Sequence, residues 1–298
     1  MGYASRADLV AALRVDPSTI FRHLRQAEKD QVVIRFGRGP ATRYAVRDAL
    51  PGLPQTSEIP IYRVQPNGLL RKLGVLMGLA NHMVLFESGD LPALPAWMLG
   101  QQGNGVFDDL PFFLNDLRPQ GFIGRQLARA LPEYQDNPTH WRAGDVIRYL
   151  LDHGLDLPGD LLIGQDAAQR FEAWSPEVVE PDDFPGMADR ALAGEIPGSS
   201  VGGEQPKWCA ITGGRAVLVK FSPPDGPSPV AERWRDLLIC EHLALNTLDY
   251  QGIATVPHRL IERRGRWFLE TERFDREGPR GRRSAISLLS LDAEYTGV

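Results

Sequence analysis

The chain has 298 residues, 43% of them hydrophobic and 24% charged, which at ~150 residues per domain is room for about two domains with a proper core. That balance excludes a wholly disordered or fibrous protein. Two cysteines exclude a disulfide framework or a four-thiolate zinc site and suggest a reducing compartment. The net charge of −5 argues against a uniformly basic nucleic-acid binder, yet residues 1–50 hold nine Lys or Arg against five acids, a net of +4, and the other 248 residues a net of −9. A cationic head on an anionic body suggests two functions on one chain.

The start, MGYASRADLV, has an acid and no apolar run, so it does not read as a signal peptide. No uninterrupted apolar stretch approaches the ~18–20 residues of a membrane helix. The nearest, LGVLMGLANHMVLF (73–86), is broken by Asn81 and His82 and reads as buried core. The expected location is the cytoplasm, with no membrane partner.

Residues 5–15 predict a helix. Ser5 caps it with Asp8 as the reciprocal partner, and Leu9, Ala12 and Leu13 form its apolar face. Asp16 and Pro17 suit the cap and first position of a second helix running to about Asp30. Ile20, Leu24 and Ala27 face inward there, leaving Ser18, Thr19, Arg22, His23, Arg25, Gln26 and Lys29 outside. Short strands VVIR (32–35) and RYAV (43–46) flank a turn-rich FGRGPAT (36–42). Helix, turn, helix and basic hairpin read as a winged helix-turn-helix over residues 1–50. Its DNA-binding residues would be Ser18, Thr19, Arg22 and His23 on the second helix, in the major groove, and Arg35, Arg38 and Arg43 on the wing, against phosphates. The plain alternative, a solvated helix pair plus hairpin, does not account for a basic wing with Gly37 and Gly39. Such a head usually has a helix before the pair, and four residues precede Ser5.

Residues 51–60 (PGLPQTSEIP) read as a linker. From 61 to 186 a mixed unit follows: strand, Asn-Gly turn and strand, then a loop feeding an amphipathic helix (110–131), then a helix (141–154) ended by Gly154. EPDDFPG (180–186) is an acidic, proline-rich break.

The pattern changes at 187. MADRALAGE is a short helix, IPGSSVGGEQPK (196–207) a Gly/Ser loop, and KWCAIT (207–212) with AVLVKF (216–221) a hairpin. Glycines before a strand let backbone N–H groups approach an anion, and Lys220 at a strand end suits phosphate binding. Residues 230–248 predict a helix burying Leu237, Leu238, Leu243 and Leu245, and RLIE (259–262) with RWFLETERF (266–274) a hairpin turning at Arg264-Gly265. No Walker A pattern is present, which excludes a P-loop NTPase. Gly loop, strand lysine, helix with acids, hairpin and ERFDR follow in the order of a protein-kinase-like N-terminal lobe.

SSVGGEQPK (199–207), VLVKF (217–221), WRDLLICEHLAL (234–245) and ERFDR (272–276) resemble the HipA-like serine/threonine kinases of toxin–antitoxin systems. LPFFLNDLRPQGFIGRQLAR (110–129) matches that family's amino-terminal subdomain, and the fused head matches its YjjJ- or HipH-like branch. The implied fold is α+β: a winged helix-turn-helix, a HipA-like N-subdomain and a kinase-like lobe over 187–298. The resemblance implies ATP binding by Ser200, Val201, Gly202 and Gly203 over the phosphates, Lys220 on a phosphate, and Glu272 and Phe274 at the adenine hinge. Ser200 matches a serine whose autophosphorylation silences the kinase, by placing about −2 charge where ATP phosphates sit. Lys207 matches a family lysine of open role, with a hairpin-surface lysine as the alternative. Glu232, Asp236 and Glu241 compete as the acid that pairs with Lys220.

The family's D-x-H-x-x-N catalytic motif is absent, so no catalytic residue is assigned, and magnesium would need a C-terminal lobe that this sequence lacks. The chain reads as a fragment of a longer kinase that binds ATP and DNA without turning over. Its protein substrate would be an aminoacyl-tRNA synthetase, as for related toxins, or another protein. The competing reading is a non-catalytic DNA-binding regulator. Six scattered histidines predict no metal site. Cys209 and Cys240 read as small buried hydrophobes, and the arginine-rich run 263–283 as a solvated hairpin and linker.

Overall fold

A computed structural model describes residues 2–50, 53, 58–89, 95–122, 124, 138–193, 203–226 and 228–297. The chain opens with strand Tyr3–Ala4 (β1), helices Arg6–Leu13 (α1) and Pro17–Lys29 (α2), and strands Val33–Phe36 (β2) and Arg43–Val46 (β3). The expected caps are present. Ser5 Oγ accepts from the Asp8 amide at 3.1 Å while the Asp8 carboxylate accepts from the Ser5 amide at 2.8 Å. Asp16 caps α2 through the Ser18 amide, with Pro17 at the first position. The residues before Ser5 form an edge strand, not a helix, in an antiparallel sheet of order β1-β3-β2. With no helix laid over them, α1 and α2 stay open. Of the apolar face expected of α1, Leu13 (59% exposed) and Ala12 are uncovered while Leu9 is half-buried, and Ile20 is the buried residue of α2.

The second sheet holds Ile59–Val64 (β4), Leu70–Gly78 (β5), Val84–Ser88 (β6), Val106–Phe107 (β7) and Leu161–Ile163 (β8), antiparallel in the order β7-β6-β5-β4-β8. Gly68, at φ +79, supplies the left-handed corner that the Asn67-Gly68 turn needs. Residues 73–86 are core as expected, with Leu76, Val84 and Phe86 buried, while Asn81 and His82 sit left-handed at the corner between β5 and β6. Helix Ala143–His153 (α3) lays Val146, Ile147 and Leu150 on this sheet, and helix Gln165–Ala173 (α4) follows β8. Residues 112–117 form a 3-10 turn that feeds Phe112, Phe113, Leu114 and Leu117 into the same core. Most of the helix expected to run on to 131 lies outside the described residues. The head is not a separate bead: Ile34, Phe36 and Ala45 share one core with Met77, Leu79, Met83 and Leu85.

The third unit comprises helix Phe184–Ala193 (α5), strands Lys207–Thr212 (β9) and Arg215–Phe221 (β10), helix Pro229–Tyr250 (α6), strands His258–Arg263 (β11), Arg266–Glu272 (β12), Arg276–Glu277 (β13) and Gly281–Arg282 (β14), and helix Leu288–Tyr295 (α7). Its antiparallel sheet has the order β11-β12-β10-β9. Period-two alternation along β10 sorts its side chains. Val217, Val219 and Phe221 join Phe184 and Met187 of α5 in one core, which leaves Leu218 and Lys220 on the opposite face, beside α6. The expectation of four buried leucines on α6 fails. Leu238 is buried, Leu237 and Leu243 are 43% and 57% exposed, and Leu245 is half-buried. At 3.6 residues per turn, Leu237 and Leu243 lie about 100° and 140° around the helix from Leu238, too far for one sheet to cover. Cys209 is half-buried and Cys240 exposed, so neither is the buried hydrophobe expected. The whole is α+β, built on antiparallel sheets.

Candidate functional site

Lys220 opens into a cleft of about 830 Å³ between the third unit's sheet, α6, the segment after β12, and the middle unit. Leu218, Lys220 and Thr271 come from the sheet, Glu241 and Leu245 from α6, and Asp116, Gln120 and Pro158 from the middle unit. Lys220 Nζ donates to both oxygens of Glu241, at 2.6 and 2.8 Å. Of the acids that the sequence left in competition, Glu241 is therefore the partner of Lys220. Lys207 stands opposite Lys220 in strand register and is 3% exposed, which overturns the surface-lysine alternative. Burial, then the Lys220 charge, push its amine down to about 8. Its Nζ donates to the Gly203 carbonyl at 3.2 Å. Of the predicted glycine loop, Ser200, Val201 and Gly202 lie outside the described residues, while Gly203 is described.

Glu272 and Phe274 line the cleft where β12 ends, with Phe274 72% exposed. Glu272 pairs at 3.5 Å with Arg215. Between and after them the ERFDR run turns inward. Arg273 donates to Asp275 at 3.0 and 2.9 Å and to Asp156 at 3.1 and 3.0 Å. Arg276 donates to Asp275 at 2.8 Å and to Asp156 at 2.6 Å, and the Gly159 amide donates to Asp275 at 2.8 Å. Burial alone would raise both carboxyl groups, but the Arg273 and Arg276 guanidiniums, with the hydrogen bonds they make, hold them well below the usual range. The solvated linker expected over 263–283 is thus wrong for its centre. Arg266, Arg273 and Arg282 are buried, and Arg280 and Arg282 both stack on Phe171 with 4.9 Å to its ring centre. The sequence hid this cluster because one of its two acids, Asp156, lies over a hundred positions upstream.

Four carboxylates line the cleft, those of Asp116, Glu241, Glu272 and Asp275. Every carboxylate that lines it is engaged. Glu241 holds Lys220, Glu272 holds Arg215, and Asp275 holds Arg273 and Arg276. Asp116 accepts from the amide and hydroxyl of Ser287 at 2.5 and 2.7 Å and from the Ser290 hydroxyl at 2.9 Å. Magnesium takes carboxylate or phosphate oxygens in octahedral geometry, and these residues offer it no open carboxylate. Among the described residues, no group of three or more His, Cys, Asp or Glu is placed to hold a metal.

On the head, Ser18, Arg22 and His23 are exposed along α2 and Thr19 is half-buried. Arg35 and Arg38 are exposed on the hairpin, whereas Arg43 is half-buried and braces it, donating to the Pro40 and Thr42 carbonyls at 3.1 and 3.0 Å. Phe21, 43% exposed, carries the guanidiniums of Arg6 and Arg25 within 5.9 and 5.6 Å of its ring centre. No helix among the described residues is long and apolar enough to cross a membrane.

The architecture defines a class when set beside known families. Residues 55–172 match the middle domain of YjjJ-like toxins, and residues 199–297 match the HipA-like C-terminal domain. Two domains of HipA-like toxins are thus matched along the chain, the middle one and the C-terminal one. Among curated proteins it is similar to Toxin YjjJ of Escherichia coli (strain K12), 34% identical over 308 residues, an alignment covering 99% of this chain and 66% of that protein. The chain thus spans just under two thirds of that relative's length.

Proposed function

We propose that this chain is the nucleotide-binding and DNA-reading part of a HipA-type serine/threonine protein kinase. The observation that carries the reading is the Lys220–Glu241 pair at 2.6 and 2.8 Å inside the cleft. A strand lysine fixed by a helix glutamate directs an ammonium at phosphate oxygens, the arrangement protein kinases use. Lys207 adds a second cation beside it, and residues 272–274 form the wall against which adenine would lie, with Gly203 at the end of the loop over the phosphates. ATP supplies the transferable phosphoryl group; the chain's own residues bind and orient it. With every lining carboxylate engaged, no magnesium-dependent step is assigned to the residues of this chain. The intact parent's substrate would be a protein serine or threonine.

The head supports a DNA-reading role through the outward row of Ser18, Arg22 and His23 on α2, with Arg35 and Arg38 on the adjoining hairpin. In this reading it is a winged helix-turn-helix with α2 in the major groove. Titration calorimetry with a non-hydrolysable ATP analogue tests the nucleotide reading. Binding that is lost in Lys220→Ala is expected. A native chain that shows no binding leaves the regulator reading, in which the head acts and the cleft does not.

A further inference from the structure

The Gly203 carbonyl takes two donors, the Phe122 amide at 3.1 Å and Lys207 Nζ at 3.2 Å. The first comes from the middle unit and the second from β9, so a single oxygen ties both to the end of the glycine-rich loop. The approach is backbone against backbone. Gly121 is left-handed, at φ +58, and a Cβ there would stand 2.4 Å from the Gly203 oxygen, 2.7 Å from its carbonyl carbon and 3.0 Å from its nitrogen. Backbone atoms cannot swing aside as the tip of a side chain does, so any side chain at 121 must displace one segment or the other. The neighbouring residues adjoin the cleft: Gln120 lines it, and the buried Lys207 stands opposite the cleft-lining Lys220 in register.

We propose that Gly121 is a positioning residue for the cleft: its missing side chain lets the Phe122 amide clamp Gly203, and the clamped carbonyl holds the Lys207 ammonium beside Lys220. The inference rests on the nucleotide reading only for what the cleft receives; the clamp is a property of the chain by itself. Lys207 is buried next to a second cation, and both effects disfavour its charged form, so an oxygen acceptor at Gly203 matters to it. Releasing Gly203 takes away an acceptor that favours the ammonium and moves the Lys207 titration further down.

The test compares Gly121→Ala with Gly103→Ala in the full chain. Gly103 is also left-handed, at φ +64, but has nothing within 4 Å of where a Cβ would stand, so it carries the backbone strain without the clash. Without nucleotide, Gly121→Ala is expected to speed hydrogen exchange at the Phe122 amide by about tenfold or more. It is also expected to lower the pH midpoint of Lys207 amine labelling, while Gly103→Ala moves neither. With adenylyl-imidodiphosphate, Gly121→Ala binds more weakly than Gly103→Ala. A Phe122 amide that exchanges in the native chain as fast as an exposed loop overturns the clamp, whether or not the variant folds. So does a folded Gly121→Ala protein with unchanged exchange and unchanged Lys207 titration. A native chain that ignores the nucleotide, with exchange and titration responding as described, removes the nucleotide reading and supports the clamp.

Discussion

Replacing Glu241 by Gln keeps the size of the side chain and removes its charge. In the native cleft the carboxylate holds Lys220 Nζ at 2.6 and 2.8 Å, with the two side chains 33% and 21% exposed. Coulomb's law at an effective dielectric constant of about 20 assigns such a contact on the order of 5 kcal/mol. Partial exposure and the cost of fixing two long side chains reduce the net to about 1–2 kcal/mol. If that net orients Lys220 for a phosphate, Glu241→Gln weakens binding of an ATP analogue by about 5–30-fold. A double-mutant cycle with Lys220→Met isolates the pair, because Glu241→Gln should cost nothing further once Lys220 is gone. A second signal needs no nucleotide. Burial and Lys220 push Lys207 down to about 8, and Glu241 is among the charges that partly lift it back. Glu241→Gln therefore lowers the Lys207 titration further, read by NMR after reductive methylation with 13C-formaldehyde. Unchanged affinity together with an unmoved Lys207 titration would refute the argument.

Lys207 also sets a pH dependence. Its folded value of about 8 lies below the ordinary 10.5, so between those limits the unfolded chain holds more protons, and stability rises with pH by up to on the order of 3 kcal/mol. Urea denaturation from pH 7.5 to 10.5 should show the rise, and Lys207→Met should flatten it. Asp156→Asn strips the shared carboxylate from Arg273 and Arg276, which are buried or nearly so; an uncompensated buried charge costs about 3–5 kcal/mol, measurable as a drop in the urea midpoint at constant slope. For the head, fluorescence anisotropy across a salt series should show Arg22→Ala/Arg38→Ala losing affinity for DNA, with the log–log salt slope shallower by about 1 for each phosphate contact removed. An unchanged slope would take the DNA-reading role away from the head.

Local chemistry made much of the fold legible. The Ser5/Asp8 and Asp16/Pro17 starts of α1 and α2 fall where capping rules put them, because a cap is written in adjacent residues. The same holds for the hairpins turning at Asn67-Gly68, Gly213-Gly214 and Arg264-Gly265, each with glycine at a left-handed corner. What the sequence did not disclose depends on distant partners. Nothing near Arg273 announces Asp156, so a buried ionic cluster read as a solvated arginine run. Lys207 read as a family lysine of open role or as a hairpin-surface lysine, until register set it opposite Lys220 and burial ruled out the second. Glu232, Asp236 and Glu241 are separated only by helix phase, and the choice among them needed the angle at which α6 crosses the sheet. The exposed leucines of α6 failed for the same reason: periodicity gives the faces of a helix but not which of them finds a partner.

The division of the chain into head, middle and nucleotide-binding segments follows its sequence better than its energetics. The cleft that holds Lys220 takes Asp116, Gln120 and Pro158 from the middle unit, and the Asp275 carboxylate on its wall is fixed by the Gly159 amide. Arg273 and Arg276 find Asp156 there, and Asp116 anchors the start of α7 through Ser287 and Ser290. Losing Asp156 leaves the two buried guanidiniums with Asp275 alone, an uncompensated charge that costs about 3–5 kcal/mol, against a total stability of about 5–15 kcal/mol for an ordinary domain. The arginines of ERFDR are therefore what commits the third unit to the middle one. The hairpin of the head is committed in turn, since Ile34, Phe36 and Ala45 have no core of their own apart from Met77, Leu79, Met83 and Leu85. A cleft assembled this way cannot reorient against the head without opening a buried ionic cluster on one side or an apolar core on the other. On the kinase reading, the DNA-reading helix and the nucleotide cleft are held at a fixed distance and angle, and any coupling between them must pass through the middle unit's five-stranded sheet.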